Sequence, residues 1–222
     1  AMDYLTGQGE YLNGEIKEPT ISAEGKNVVV IGAGDTGADC VATALRENCK
    51  SIVQFNKYTK QPEAIEFDEN TYWPLAMPVF KMDYAHKEYE QRFGFEPRAY
   101  GVQTMRYDVD RIGNVKGVYT QILEETDEGM VVVDGTERHW PADLVLLSIG
   151  FIGTETTVPH AFNIQTERNK IVADNKDFRT NQPNIFAAGD ARRGQSLVVW
   201  AIQEGRAVAN AVDEYLKEKT LV

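Results

Sequence analysis

The residues Gly32-Ala33-Gly34-Asp35-Thr36-Gly37 set three glycines in the spacing GxGxxG, directly after the apolar run NVVVI and directly before ADCVATALREN. That spacing suits backbone chemistry. The first glycine permits a tight turn, the second lets the main chain approach a pyrophosphate, and the third lets a following helix pack against the strand. Free N–H groups and the dipole of the new helix then favour the anion. A carboxylate beside a pyrophosphate would be repelled, so Asp35 is expected to turn aside and cap the helix start, with Thr36 joining that cap or reaching a phosphate.

The choice of nucleotide falls to the end of the second strand, about 20 residues beyond the loop, where an NAD enzyme places an acid for the ribose 2′-hydroxyl. This chain has Gln54-Phe55-Asn56-Lys57 there, with Lys60 close behind. An amide followed by cations suits a 2′-phosphate, which favours NADPH over NADH; the alternative is that Lys57 and Lys60 are solvated surface lysines. A second acid in a notable place is Asp190, which follows Gly189 between IFAA and a later helical run.

Other reactive residue types are sparse. Cys40 and Cys49 form no CxxC pair and are too few for a four-thiolate cluster, so they are expected to be packing residues. His86, His139 and His160 show no metal spacing and are expected to be surface or structural. The 222 residues carry 34 acidic against 23 basic side chains, a net charge of −11, which argues against nucleic acid and anionic membranes as general partners. No apolar stretch is long enough to span a bilayer and the opening residues lack signal-peptide features, so a cytoplasmic location is expected.

The elements that must position these groups can be read from pattern. KNVVVIG is a buried parallel strand, ADCVATALREN a helix and SIVQF the next strand, together a βαβ unit. Residues 57–98 form a long excursion with one polar helix at 84–93. YGVQTMRYDVD, GNVKGVYTQILEE and GMVVVDGTERHW form a β-meander split at Gly113-Asn114 and at Asp127-Glu128-Gly129. DLVLLSIGF is a further parallel strand ending in glycine, IVADNKDFRTNQPNIFAAGD supplies two short strands, and SLVVWAIQEGRAVANAVDEYL a long helix. The fold class is α/β: a Rossmann-like NAD(P)H-binding domain with a parallel sheet and a β-meander, plus part of a second domain. The expected division is 1–25 as a lead-in helix and linker, 26–155 as the nucleotide domain with its insertion at 57–98, and 156–222 as the closing segment of the other domain.

Three ordered motifs, KNVVVIGAGDTGADCVATAL, PADLVLLSIGF and IFAAGDARRGQSLVVWAIQEGRAVANAV, resemble those of FAD-dependent pyridine nucleotide oxidoreductases. More narrowly they resemble the small (β) subunit family of glutamate synthases. The resemblance implies that 156–222 is the end of an FAD-binding domain and that Asp190, after Gly189, accepts a hydrogen bond from the flavin's ribityl chain rather than merely capping a helix. It implies that Gln195-Ser196-Leu197 start a helix aimed at the pyrimidine edge of the isoalloxazine, and that Gly150 is also a cofactor-contacting position. Arg192 and Arg193 either meet flavin phosphate or face solvent. It further implies hydride transfer from NADPH to FAD, with electrons passing to a large (α) subunit that forms glutamate from glutamine and 2-oxoglutarate. No catalytic side chain is needed, because the cofactors carry the chemistry.

Members of that family carry an N-terminal iron–sulfur region and a second glycine loop for FAD, and neither is present here, so the chain is expected to be a fragment of such a parent, with FAD held in the full-length protein. A related flavin reductase with another electron acceptor, and a nucleotide-binding module without turnover, are the competing readings. The absence of CxxC speaks against a thiol–disulfide reductase. The closing helix presents Leu197, Val198, Ala201, Ile202, Val208, Ala209 and Val212 for burial with half its domain missing, so exposed apolar surface and self-association are expected.

Overall fold

The computed structural model describes residues 1–64, 79–127 and 129–220. In chain order the elements are α1 (Met2–Leu12), β1 (Asn27–Ile31), α2 (Asp35–Arg46), β2 (Ser51–Asn56), α3 (Tyr84–Phe93), β3 (Arg98–Tyr100), β4 (Val102–Val109), β5 (Val115–Thr126), β6 (Gly129–Val132), β7 (Arg138–Pro141), β8 (Leu144–Leu147), α4 (Thr157–Ala161), β9 (Thr166–Glu167), β10 (Lys170–Ile171), α5 (Asp190–Arg193) and α6 (Val198–Thr220). They divide into two units, residues 1–149 and 150–222.

The first unit is built on a four-stranded parallel sheet ordered β3-β2-β1-β8. Successive strand residues point to opposite faces, and β1 shows why its run of valines is unbroken. Val28 and Val30 pack with α1, α2 and α3 residues such as Tyr4, Val41 and Tyr89, whereas Val29 packs on the other face with Phe55, Val118 and Ala142. Helices therefore cover one face and the meander the other. Each buried valine contributes about 2 kcal/mol to the assembly.

The meander joins β4 to β5 along one edge, while β6 and β7 share the other edge of the long β5. The third β-rich stretch of the sequence is thus two strands, separated by a turn in which Thr136 Oγ1 donates to Val133 O at 2.6 Å. Of the 57–98 excursion, residues 65–78 lie outside the described residues, as does Glu128 of the second meander turn.

The polar helix expected at 84–93 is α3, capped by Asp83 and ended by left-handed Gly94. It is held on α2 by Tyr84 Oη to Asp39 at 2.5 Å, by Arg46 to Glu88 at 2.7 Å and by Arg92 Nη1 to the Leu45 carbonyl at 3.0 Å. The opening residues belong to this unit too. Tyr4 is buried in its core and donates to Glu47, which also accepts from Ser22 Oγ at 2.7 Å.

In the second unit, β9 and β10 form a two-residue hairpin. A strand expected at IFAA does not form; only an isolated bridge joins Arg179 and Phe186. The intervening TNQPN turns on itself, with Thr180 Oγ1 donating to Ile185 O at 3.0 Å, leaving too little extended chain for a ladder. Among the described residues no helix is long and apolar enough to cross a membrane.

Candidate nucleotide site and its flavin-side counterpart

The chain leaves β1 through Gly32, whose φ of +119° lies in the region that favours glycine. A Cβ there would sit 2.2 Å from the Ser148 carbonyl oxygen, so β8 packs directly against the turn. Gly37 is as tightly placed, with a Cβ falling 2.5 Å from Gly32 O and 2.7 Å from Gln54 Nε2. Gly34 differs: a Cβ there would meet nothing within 4 Å. Two glycines thus let the protein pack against itself, and the middle one leaves room for something else.

Gly34 is the N-cap of α2, and its carbonyl accepts from Gly37 N at 2.9 Å and Ala38 N at 3.1 Å. The N–H groups of Asp35 and Thr36, at the very start of the helix, are left without an intrahelical partner. No side chain caps this helix, which corrects the expected role of Asp35: it is the first helical residue, exposed, and caps nothing, and Thr36 does not cap either. The short Gly34 turn already places the backbone oxygen where a cap would act.

Gly32, Ala33 and Gly34 line a cleft of about 790 Å³ together with Asn56 and Lys57 at the end of β2, Ser148 at the end of β8, and Gln103, Met105 and Tyr107 of β4. It lies outside the carboxyl ends of the strands, where doubly wound sheets bind ligands. Asn56 Oδ1 accepts from Tyr58 N at 3.0 Å, which fixes the strand end, and Lys57 Nζ stands 4.9 Å from the Tyr58 ring centre. Lys60 is not among the lining residues. It pairs with Glu63 at 3.6 Å and lies over Phe80 at 4.2 Å.

Three contributors were not singled out from sequence. The Gly32 carbonyl accepts from Gln54 Nε2 at 2.8 Å, and Ser148 Oγ donates to Ile31 O at 3.0 Å. Gln54 Oε1 in turn meets His86 Nε2 at 2.7 Å, and both side chains are fully buried. Gln54 carries a sequence signal, since it is the one amide in the apolar run IVQF; His86 carries none.

In the second unit Gly150 (φ +103°) is exposed, as is Asp190, the first residue of α5, whose carboxylate makes no hydrogen bond to the described residues. Asp190 lines a small pocket of about 240 Å³ with Phe151, Gly153, Thr154, Ala191 and Gln195. Thr154 Oγ1 donates to Ala191 O at 3.1 Å and Gln195 Nε2 to Phe151 O at 3.3 Å. Gln195, Ser196 and Leu197 precede α6 rather than beginning it, with Leu197 O accepting from Trp200 N at 3.0 Å.

The two arginines meet on one acid, Arg192 mostly buried and Arg193 exposed. Glu204, buried on α6, accepts from Arg192 Nη2 at 2.6 Å, Arg193 Nε at 3.1 Å and Gly189 N at 2.8 Å. Those donors, Arg192 first, hold its carboxyl below the usual carboxylate range. Glu204 thereby ties the Gly189-Asp190 turn to the long helix. An acid on the apolar side of AIQEGRAV, downstream of paired arginines, is the signal that could have revealed it.

Cys40 and Cys49 lie in the first unit's core, and burial pushes both thiols up to about 11. Among the described residues no cluster of three or more His, Cys, Asp or Glu is arranged to hold a metal ion.

The chain is 48% identical over 223 residues to the glutamate synthase [NADPH] small chain of Bacillus subtilis, covering 97% of this chain and 45% of that one. It is 39% identical to the glutamate synthase [NADH] of Schizosaccharomyces pombe, covering 100% of this chain and 11% of the relative. It thus spans about half the length, or less, of the curated relatives it matches. Among solved structures, FprA of Mycobacterium tuberculosis in complex with NADPH superposes with a TM-score of 0.59 at 15% identity, covering 93% of this chain and 56% of FprA, a likeness of fold. The family model for pyridine nucleotide-disulphide oxidoreductases matches residues 6–205, nearly the whole first unit and much of the second, and the chain belongs to that family.

Proposed function

We propose that the chain is the NADPH-binding module, with the closing segment of the flavin site, of a glutamate synthase small subunit. The observation that carries this reading is the open face at Gly34, where backbone N–H groups at a helix start meet a large cleft and no side chain fills the space. The pyrophosphate of NADPH lies there, and Lys57 takes the 2′-phosphate. In the second unit the unpaired Asp190 carboxylate beside a small pocket suits a ribityl hydroxyl, and Gly150, Gln195, Ser196 and Leu197 flank that position. FAD, when bound, supplies the two-electron acceptor that nicotinamide reduces directly. The protein's own residues bind and orient: the loop holds the dinucleotide, while Glu204 fixes the turn that presents Asp190.

Electrons then leave for a large subunit that makes glutamate from glutamine and 2-oxoglutarate, a partner suggested by the small-chain relative. The test is anaerobic mixing of the FAD-loaded full-length parent with NADPH. Rapid bleaching of the flavin band supports the reading, and an unbleached flavin overturns it.

Because one relative is an NADH enzyme, the coenzyme preference needs its own test. Lys57→Glu is expected to raise the Kd for NADPH about tenfold, the worth of one charge-assisted hydrogen bond, and to leave NADH within about twofold. Equal losses for both coenzymes would remove Lys57 from the 2′-phosphate.

The apolar surface of α6 bears on assembly. Leu197, just before α6, and Val198, Val199 and Ile202 on it are 67%, 73%, 64% and 52% exposed, clustered apolar side chains of the kind that favour association. We expect the apparent mass by light scattering to rise with concentration, and Val198→Glu to suppress that rise. A constant monomer mass would contradict it.

A further inference from the structure

We infer that Gln54 and His86 are positioning residues for the nucleotide loop, so that α3, an element of the long excursion, is part of the binding machinery. The inference rests on the reading that the glycine loop takes NADPH.

The donor and acceptor roles follow in order. A carbonyl oxygen only accepts, so the Gln54 amide must present Nε2 to Gly32 O, at 2.8 Å. Its Oε1 then faces His86 Nε2 at 2.7 Å, and that nitrogen must carry the hydrogen. His86 Nδ1 lies 3.1 Å from Asp83 Oδ1 without hydrogen-bond alignment, because Oδ1 is directed at the backbone N–H groups of Ala85 (3.1 Å) and His86 (3.4 Å). Burial and then the nearby Arg98 push the His86 imidazole toward its neutral form, against Asp83 and Glu96. A neutral ring protonated on Nε2 satisfies both bonds of the Gln54 amide and leaves the buried Nδ1 without a partner among the described residues.

A buried amide costs free energy unless its groups are paired, and an apolar side chain would fill the same site in β2 without that demand. What the amide adds is a fixed direction for the Gly32 carbonyl, whose only other side-chain donor among the described residues, Ser148 Oγ, stands at 3.4 Å. The orientation of that peptide sets the direction of the Ala33 N–H, which is fixed in the same plane. His86 locks the amide against flipping.

The test compares this chain with His86→Phe, which keeps the ring volume and removes both nitrogens, and His86→Gln, whose Nε2 can replace the lost donor. Two readouts are taken: NADPH affinity by fluorescence titration, and hydrogen exchange of residues 32–37 without nucleotide. His86→Phe is expected to raise Kd about tenfold and to speed loop exchange while β1 protection stays unchanged, and His86→Gln to stay within about threefold of the parent in both. Should His86→Phe fail to fold, Gln54→Met carries the same expectation. Parent-like affinity and loop exchange in His86→Phe would overturn the inference, as would faster exchange spread evenly through β1 and α2. If the parent chain binds no NADPH, the coenzyme reading fails, and loop exchange alone still decides the role of His86.

Discussion

Gly34→Ala is expected to leave the protein folded and to weaken NADPH about a hundredfold, roughly 2.7 kcal/mol. The separation of the two effects is what makes the variant informative. An added Cβ at Gly34 meets no protein atom within 4 Å, and the residue's φ of −83° is open to alanine, so stability changes by only about 1 kcal/mol through the weaker N-cap. The same Cβ occupies the space through which the pyrophosphate approaches the backbone.

Gly37→Ala is the contrasting variant. Its Cβ falls 2.5 Å from Gly32 O and 2.7 Å from Gln54 Nε2, so helix and strand must part, costing about 2 kcal/mol of stability as well as binding. Thermal melts and NADPH titrations on both variants check the pair. Unchanged affinity in Gly34→Ala would take the pyrophosphate off the loop.

Glu204→Ala is the second large effect, expected to destabilise the second unit by about 3 kcal/mol. Removing the carboxylate leaves the Gly189 N–H without its acceptor and Arg192, itself mostly buried, with Asn175 Oδ1 but no counter-charge from Glu204. Hydrogen exchange and limited proteolysis resolved to residues 150–220 are the suitable measurements, since the two units need not open together. The acid limb gives an independent check. A carboxyl held low in the folded state contributes stability that is complete above its unfolded range and lost as pH falls through the depressed folded value. The second unit of the unmodified chain should therefore loosen below the ordinary glutamate range, and Glu204→Ala should lose that portion of the pH dependence. Exchange in 150–220 indifferent to the substitution would show that the arginines are held by something else.

The parts of this molecule legible in its sequence are those in which the signal is local. Strand, glycine turn and helix follow one another within Asn27–Arg46, so the pattern of types carries the geometry. The first turn of the meander, at Gly113-Asn114, and the helix at Tyr84–Phe93 are written in adjacent residues in the same way.

What escaped notice depends on partners distant in the chain. Gln54 and His86 are separated by 32 positions and meet only because α3 folds back on α2, so a histidine in a polar helix looks solvated until the packing is known. Glu204 ties Arg192 and Arg193 to α6, and the hint of it, an acid on the apolar side of AIQEGRAV, gains its meaning only once the arginines are seen to reach it. Asp35 errs in the opposite direction: it sits where a cap is expected, but the Gly34 backbone takes that place. Lys60 stands in a local pair with Glu63, a contact that its spacing from the loop does not announce.

If the function proposed above is right, the glycine loop of the first unit holds NADPH. Fluorescence titration of the purified chain with NADPH and, in parallel, NADH tests it most directly. Saturable binding, tighter for NADPH and lost in Gly34→Ala, is the result expected. No saturable binding of either coenzyme by a folded chain would contradict it.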